Sequence, residues 1–292
     1  MRLDHAAESA FRVLDKCSGD LRRQAPWHWT AAVQNGTLHS IESRFDEGFL
    51  ELVSHPETTK RNAQELERAL VGNGFLPGGA GLALDAVSSC LHIRADIALS
   101  LEAGFDEEHL LKRVKWALDG FHHGLDFLKS FDAQVVAQMP PSDAGSDSGL
   151  AELLGESSWK CEARGPNDFS ASLDAETEPP AKIRMSEHGL LLSVELGRVE
   201  SAAVSAREAI AVFLLTAGGA LRMARACALK KDDGWSFGFN VCLPSAPTPQ
   251  EIDHGLAALS IAHQSAARET RALLDEPTAR RYLAARAIPI TN

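Results

Sequence analysis

Alternation of apolar and polar residues is the strongest pattern in this chain, and it occurs twice. Residues 91–99 are apolar at every odd position and mostly polar between, and residues 235–243 repeat the alternation in the same phase. Side chains one position apart leave opposite faces of a sheet, so each stretch predicts a strand with one buried face. The two stretches begin 144 positions apart (91 to 235), and residues 48–53 match residues 189–194 at an offset of 141. The two similar offsets predict a tandem duplication.

Apolar residues spaced three and four apart predict the helices of the first half. An amphipathic helix is expected over about the first twenty residues, with Leu21 on its apolar stripe. A second helix carries Leu66 and Leu70, and we expect Gly72 and Gly74 to end it by adopting positive φ. A third helix begins at the acidic residues 106–108, and its apolar stripe is Leu110, Val114, Ala117, Phe121, Leu125 and Leu128.

The second half repeats this order of elements. The strands predicted before the second helix lie near residues 38–41 and 49–53 in the first half, and at 159–163, 169–173, 183–185 and 190–196 in the second. A helix at 203–217 and a hairpin of residues 224–229 with 235–243 correspond to the helix at 63–70 and the hairpin of 82–84 with 91–99. Thr248 and Glu251 form a capping box around Pro249, which predicts the start of the last long helix. The segment after Pro277 has no counterpart in the first half.

These elements predict an α+β fold made of two tandem copies of a helix–antiparallel sheet–helix domain, at residues 1–138 and 150–292. The linker between them is predicted at residues 139–149, because positions 140–149 contain Gly, Ser, Asp and Pro and no apolar residue larger than alanine. We expect the copies to pack together as an intramolecular pseudo-dimer, because a sheet edge or apolar stripe left open in one copy can be covered by its equivalent. Such a chain would be a monomer in solution.

Composition and charge narrow the classes of partner. The chain has 292 residues, of which 45% are hydrophobic and 24% charged, as is typical of soluble globular proteins. A net charge of −11 disfavours nucleic acid and anionic membranes, since both require clustered Lys and Arg. No segment approaches the roughly 18 apolar residues of a membrane span, and the N-terminus lacks the apolar run of a signal peptide. Five cysteines without a Cys-x-x-Cys pair agree with a reduced, cytoplasmic protein.

Two stretches are candidates for chemistry, and both have a simpler interpretation. His122 and His123 lie on a helix near Asp119 and Asp126, but adjacent helical residues point about 100° apart, so a solvated polar face is favoured over a metal site. The glycines of residues 72–79 resemble a phosphate loop, but Pro77 occupies the position of the third glycine and a helix precedes them. We therefore expect no enzyme activity, no catalytic residue, no metal and no cofactor.

The order helix, two or three strands, helix, two strands, helix resembles the type III secretion chaperones of the Tir-chaperone (CesT-like) class and the related YbjN-type domains. The acidic balance and the final amphipathic helix add to the resemblance, which covers residues 3–128 and 150–274 and rests most on 66–99 and 213–243. It implies a small α+β domain that dimerises and holds an unfolded stretch of a client protein on its sheet and helices. Family members are typically single domains that pair as homodimers, whereas two domains share this chain.

Three functional hypotheses remain open. The first is a bacterial, chaperone-like module that holds a protein client such as a secreted effector, and the second is a YbjN-like interaction or scaffold protein without a secretion client. The third is an enzyme with a site between the domains. An exposed apolar groove would favour the first, and a deep pocket lined by perturbed acids or histidines would favour the third. The candidate partner-binding residues are Trp27, Trp29 and Trp159, with the alternative that these tryptophans close the cores.

Overall fold

The computed structural model has an α+β fold, and its first half, defined here as residues 3–130, contains α1 to α3 and β1 to β6. These elements are α1 (Leu3–Cys17), β1 (Gly19–Ala25), β2 (His28–Asn35), β3 (Thr37–Asp46), β4 (Phe49–Ser54), α2 (Ala63–Gly72), β5 (Ala80–Leu84), β6 (Leu91–Ala98) and α3 (Glu107–Ser130). The structure describes residues 3–35, 37–46, 49–98, 106–130, 149–165, 167–173, 179–186, 189–231, 234–286 and 288.

The second half, residues 149–288, contains α4 to α7 and β7 to β12. These elements are α4 (Gly149–Gly155), β7 (Cys161–Gly165), β8 (Asp168–Ala171), β9 (Ala181–Ser186), β10 (Gly189–Glu200), α5 (Val204–Gly218), β11 (Arg225–Lys231), β12 (Gly234–Leu243), α6 (Pro249–Ala272) and α7 (Glu276–Ala285). Apart from Gly149, which begins α4, the predicted linker lies outside the described residues. The domain boundaries at 138 and 150 therefore stay predictions.

Each half forms one six-stranded antiparallel sheet. The strand order is β1-β2-β3-β4-β6-β5 in the first half and β7-β8-β9-β10-β12-β11 in the second. When the strands are counted within each half, the two orders are the same. In both sheets the sixth strand pairs with the fourth, and the fifth strand forms the edge. These strands are β6, β4 and β5 in the first half and β12, β10 and β11 in the second.

Both predicted hairpins are confirmed, and their registers match. Leu82 of β5 lies opposite Ile93 of β6, and Ala228 of β11 lies opposite Phe237 of β12. All four side chains are buried in the hydrophobic core. The apolar positions of the alternating pattern therefore face the core, as the sequence predicts.

The last long helix of each half covers the buried face of its own sheet. Helix α3 packs on β5 and β6, and α6 packs on β10 and β12. The contacts are close: a Cβ built at Gly124 would lie 3.2 Å from Cδ1 of Ile93, and one at Gly255 would lie 2.7 Å from Cδ1 of Leu192. The buried positions of these helices include Phe121 and Leu256, which the helical spacing places on the apolar stripe.

The first helix is shorter than predicted, and a strand follows it. Helix α1 ends at Cys17, and Leu21 lies in β1. Asp20 has a positive φ of 52°, a backbone conformation that cannot continue a right-handed helix. Strand β1 contains Arg22 and Arg23 and pairs with only one neighbour, β2, so it needs no apolar alternation to form.

The positive φ values near the end of α2 occur at other glycines than predicted. Gly72 is the last residue of α2, and the cap residue, Asn73, has right-handed helical torsions with φ −57°. The positive φ values occur at Gly78 and Gly79, where the chain passes over α3. A Cβ at Gly78 would lie 2.4 Å from the carbonyl oxygen of Trp116, so only glycine fits there.

Candidate functional site at the junction of the two halves

The halves meet through elements that hold the same place in the element order of each half. Helix α2 packs against α5, β5 contacts β11, and each helix also contacts the edge strand of the other half. Two contacts are reciprocal: a Cβ at Gly74 would lie 3.5 Å from Leu229, and one at Gly219 would lie 3.7 Å from Ala83. Leu229 and Ala83 occupy the same position in their hairpins, one residue beyond the pairs described above. We call this region the junction and take it as the candidate functional site.

Asn73 links both halves at the centre of the junction. It is fully buried, and its Nδ2 donates to the carbonyls of Leu82 in the first half, at 2.8 Å, and Ala226 in the second, at 2.9 Å. Its Oδ1 accepts from the backbone N–H of Leu82 at 2.6 Å. Both amide protons and the carbonyl are therefore used, which satisfies a polar group that would otherwise be costly to bury.

Arg225 crosses the junction from β11. Its Nη1 donates to the carbonyls of Leu76, at 2.7 Å, and Ala80, at 2.6 Å, and its Nε donates to Oδ1 of Asn240 at 3.0 Å. These acceptors are uncharged oxygens, and burial lowers the pKa of Arg225. Space for the arginine stem comes from Gly81, where a Cβ would lie 2.8 Å from Cδ of Arg225.

A cluster of ion pairs lies beside this arginine. Arg94 of β6 is 3.3 Å from Glu51 of β4 and 3.1 Å from Asp96. Asp96 also accepts from the backbone N–H of Met223 at 2.8 Å, and Arg222 lies 3.8 Å from the same carboxylate. Charges from the first half are thus paired with groups from the second, and both acids are largely buried.

A second buried pair joins the two helices of the junction. Nε of Arg207 in α5 donates to the carboxylate of Glu67 in α2 at 2.8 Å. The Arg207 guanidinium also lies 5.8 Å from the ring centroid of Trp235 and donates to the carbonyl of Ser201. Glu208, the next residue of α5, is 2% exposed.

Helices α3 and α6 are also linked across the two halves. Arg113 donates from Nε and Nη2 to the two carboxylate oxygens of Glu251, at 2.6 and 2.8 Å. Glu251 at the same time completes the capping box with Thr248, whose backbone N–H it accepts at 2.7 Å. The capping box predicted from the sequence is therefore present, and it also contributes to the contact between the halves.

A small crevice opens where these contacts meet. Its lining comes from both halves and includes Gly81, Arg94, Asp96, Met223 and Arg225. The side chains of Arg94, Asp96 and Arg225 are already engaged in the hydrogen bonds and ion pairs described above.

Burial disfavours charge on titratable groups of β6, β11 and β12. It raises the pKa of Cys227 to about 12 and raises that of Cys242, so both thiols stay protonated at neutral pH. It also lowers the pKa of His92. Nucleophilic attack requires the thiolate, so burial disfavours Cys227 and Cys242 as nucleophiles.

The three candidate tryptophans differ in exposure. Trp27 lies in the turn between β1 and β2 and is 39% exposed, whereas Trp29 is fully buried, with its ring centroid 5.8 Å from that of Phe11. Trp159 precedes β7 and is half-buried against the core. Trp29 therefore closes the core, and Trp27 is the tryptophan that presents the most surface to a partner.

The candidate metal ligands on α3 are spread along the helix. His123 is exposed, with Nε2 4.0 Å from the Asp119 carboxylate, and His122 is half-buried. Among the residues that the structure describes, no three His, Cys, Asp or Glu side chains are grouped so as to hold a metal ion. The glycines of residues 72–79 connect α2 to β5, as the helix-to-strand interpretation predicts.

The sequence did not single out the main residues of the junction. Three of these residues are polar and lie within or beside apolar segments: Asn73, Arg94 and Arg225. A polar residue in an apolar segment is the only feature of the local sequence that sets them apart. Their partners in the other half lie more than 120 positions away, as the pair of Arg225 with Leu76, 149 positions apart, illustrates. Periodicity reports local structure alone, so it cannot identify such contacts.

Comparison with protein-family models, with curated proteins and with solved structures gave no match. Within the described ranges, no helix combines the length and apolarity needed to cross a membrane.

Proposed function

We propose that this protein is a non-catalytic protein-binding module of the secretion-chaperone type, acting in the bacterial cytoplasm. Its two halves arose by tandem duplication and form an intramolecular pseudo-dimer, so that one chain does what two chains do in the family it resembles. The client is a protein segment held in an unfolded state on the surface of the sheets and helices.

The reciprocity of the junction carries this proposal. In a two-fold symmetric interface each patch meets its own equivalent, so a contact from one partner recurs from the other. Gly74 against Leu229 and Gly219 against Ala83 follow that rule, as do α2 against α5 and β5 against β11. The shared strand order of the two sheets supports the same origin.

The polar groups of the junction support a structural role for it. Asn73 donates to the backbone carbonyl of Ala226, and Arg225 donates to the backbone carbonyl of Leu76 and to the side-chain amide oxygen of Asn240. The two bonds to backbone carbonyls cross the junction and fix the halves relative to each other. Burial keeps the nearby thiols of Cys227 and Cys242 protonated. We therefore place the client elsewhere, on the outer surface that includes the exposed ring of Trp27.

Light scattering tests the assembly part of the proposal. An intramolecular pseudo-dimer gives the mass of one chain, 31.4 kDa, over a wide range of concentration. A stable homodimer of twice that mass would contradict it. In a pseudo-dimer the contact of α2 with α5 takes the place of the interface between two chains, so no second chain should be needed.

Capture from the native host followed by mapping tests the client part. A captured partner supports the proposal if hydrogen exchange shows that its bound segment lacks protected secondary structure. Trp27→Ala is expected to weaken binding about tenfold, while Val87→Ala, at a residue 93% exposed, serves as the matched control and leaves binding unchanged. Binding only of folded domains would instead support the scaffold hypothesis, and turnover of a small molecule would support an enzyme.

A further inference from the structure

One buried carboxylate at the junction, that of Glu208, has an oxygen without a hydrogen-bond partner among the described residues. Glu208 lies on α5 with 2% of its surface exposed. In the part of the chain that the structure describes, its Oε2 has no hydrogen-bond partner. A buried polar atom left in this state is costly, and a buried negative charge more so, which makes the ionisation of Glu208 sensitive to its surroundings.

The charged groups that act on Glu208 come from three helices. From α2 comes Glu67, from its own helix Arg207, and from the start of α7 Glu276. Arg207 is already engaged by Glu67 at 2.8 Å, and Arg280 lies 3.6 Å from Glu276 on the exposed side of α7. Three carboxylates thus meet one buried arginine, which leaves this cluster short of positive charge.

Helix α7 contacts this part of α5 through its first turn. It packs against α5 through Ala279 and Leu283, both fully buried. Oε1 of Glu276 accepts from the backbone N–H of Ala206 at 3.4 Å, and Arg280 donates to Ser205 at 3.3 Å. The first turn of α7 therefore lies beside the turn of α5 that carries Glu208.

We propose that Glu208 is a proton-operated latch that controls the docking of α7 on α5. With a proton on Glu208 the carboxyl is neutral, and α2, α5 and α7 pack closely. When the proton leaves, the new charge repels Glu67 and Glu276 and loosens α7. Of the neighbouring elements α7 moves, because α2 is held to α5 by the Arg207 pair, and Asn73 at the end of α2 is bonded to Ala226 of β11.

The direction of the pH effect follows from the environment of Glu208. Burial raises its pKa, the Glu67 carboxylate raises it further, Arg207 opposes the rise and Glu276 adds to it. A carboxyl whose pKa is higher in the folded protein stabilises the fold most at acidic pH, below its ordinary value. That contribution is lost as the pH rises through the raised pKa. Alkalinisation therefore opens the latch, and acidification closes it.

Hydrogen exchange of residues 276–285 in the full chain tests the latch. In the wild type, the protection of α7, corrected for intrinsic exchange, is expected to fall by up to about tenfold per pH unit between the ordinary pKa of a glutamate and the raised pKa of Glu208, and to level off above the raised pKa. Glu208→Gln has the same shape and cannot ionise, so its α7 keeps high protection from about pH 5 to about pH 8. Glu269→Gln, which removes an exposed carboxylate of α6, is the matched control and behaves as the wild type.

Two outcomes would overturn the latch. One is equal protection of α7 in the wild type and in Glu208→Gln at every pH. The other is a pH-dependent loss that spreads to α2 and β5 to the same extent, which would indicate opening of the whole junction. A second variant, Glu276→Gln, removes one repelling carboxylate and is expected to shift the loss of protection to lower pH while preserving more protection at high pH. Client binding plays no part in these measurements, so they are independent of the proposed function.

Discussion

Arg207 of α5 and Glu67 of α2 form an ion pair of 2.8 Å that joins the two halves of the protein, with side chains only 13% and 8% exposed. Removing one member of a buried pair leaves the other charged and unpaired, which costs far more than the net value of the pair. The pair therefore makes the contact between the halves sensitive to single substitutions.

We expect Glu67→Ala to lower the free energy of unfolding by about 3 to 5 kcal/mol, because it leaves Arg207 buried without its carboxylate. Denaturant titration followed by circular dichroism measures this. The control is Asp168→Ala, which breaks the 3.0 Å ion pair between Asp168 and Arg184. The side chain of Asp168 is 36% exposed and that of Arg184 is 57% exposed. Solvent screens that pair, so its loss is expected to cost less than about 1 kcal/mol. Equal losses in the two variants would contradict the importance of the buried pair.

The glycine at position 81 is required by the passage of Arg225. We expect Gly81→Ala to destabilise the protein by about 1 to 3 kcal/mol, because the added Cβ would lie 2.8 Å from Cδ of the buried arginine. Gly197→Ala in β10 is the control, since a Cβ there has no heavy atom within 4 Å. Its effect is expected to stay within about 0.5 kcal/mol. A Gly81 variant as stable as the Gly197 variant would show that Arg225 has room to shift.

The two tryptophans of the β1–β2 hairpin should respond to substitution to very different extents. Trp29→Ala is expected to cost about 3 to 5 kcal/mol, because it empties a fully buried site beside Phe11. Trp27→Ala, at a side chain 39% exposed, is expected to cost less than about 1 kcal/mol. The chain has five tryptophans, so the signals are read from the difference between the wild type and each variant: Trp27→Ala should remove fluorescence that iodide quenches, and Trp29→Ala should remove fluorescence that iodide does not reach. Quenching of both would mean that the hairpin opens in solution.

Patterns that act over a few residues allowed much of the fold to be predicted. Alternation located β6 and β12, and Thr248 with Glu251 located the start of α6. Strand β1 was missed, because an edge strand with Arg22 and Arg23 is held by backbone pairing to β2 and carries no apolar alternation. The alternation also did not reveal that part of the polar face of β6 is buried against the other half. Arg94 and Asp96 face the junction there, and that contact depends on how the halves pack.

The buried cysteines should be unreactive in the native protein. Cys227 and Cys242 are buried, and burial raises the pKa of Cys227 to about 12, so almost no thiolate is present at neutral pH. We expect iodoacetamide to modify the half-buried Cys17 and Cys161 first, with Cys227 and Cys242 modified only as the protein unfolds. Mass spectrometry of digested samples across a denaturant series measures the order. Early modification of Cys227 would contradict the burial of β11 at the junction.

His92 gives the fold a pH dependence opposite in sign to that of Glu208. It is 8% exposed on β6, and its Nδ1 has no hydrogen-bond partner among the described residues. Burial lowers its pKa; Asp85 opposes this shift, and Arg94 adds to it. A histidine with a lowered pKa in the folded state stabilises the fold above its ordinary value. Below that value the unfolded chain takes up the proton first, so stability falls with the pH.

Denaturant titrations of the wild type and of His92→Gln measure this contribution. Above about pH 7.5 the difference between them should be constant, because the imidazole is neutral in both the folded and unfolded states. As the pH falls below about 6.5, the wild type should lose up to roughly 1.4 kcal/mol per pH unit relative to the variant. His123→Gln, at a side chain 58% exposed on α3, is the control and should follow the wild type. If His92→Gln also follows the wild type down to about pH 5, the imidazole is charged within the fold and the outer face of β6 is open to water there.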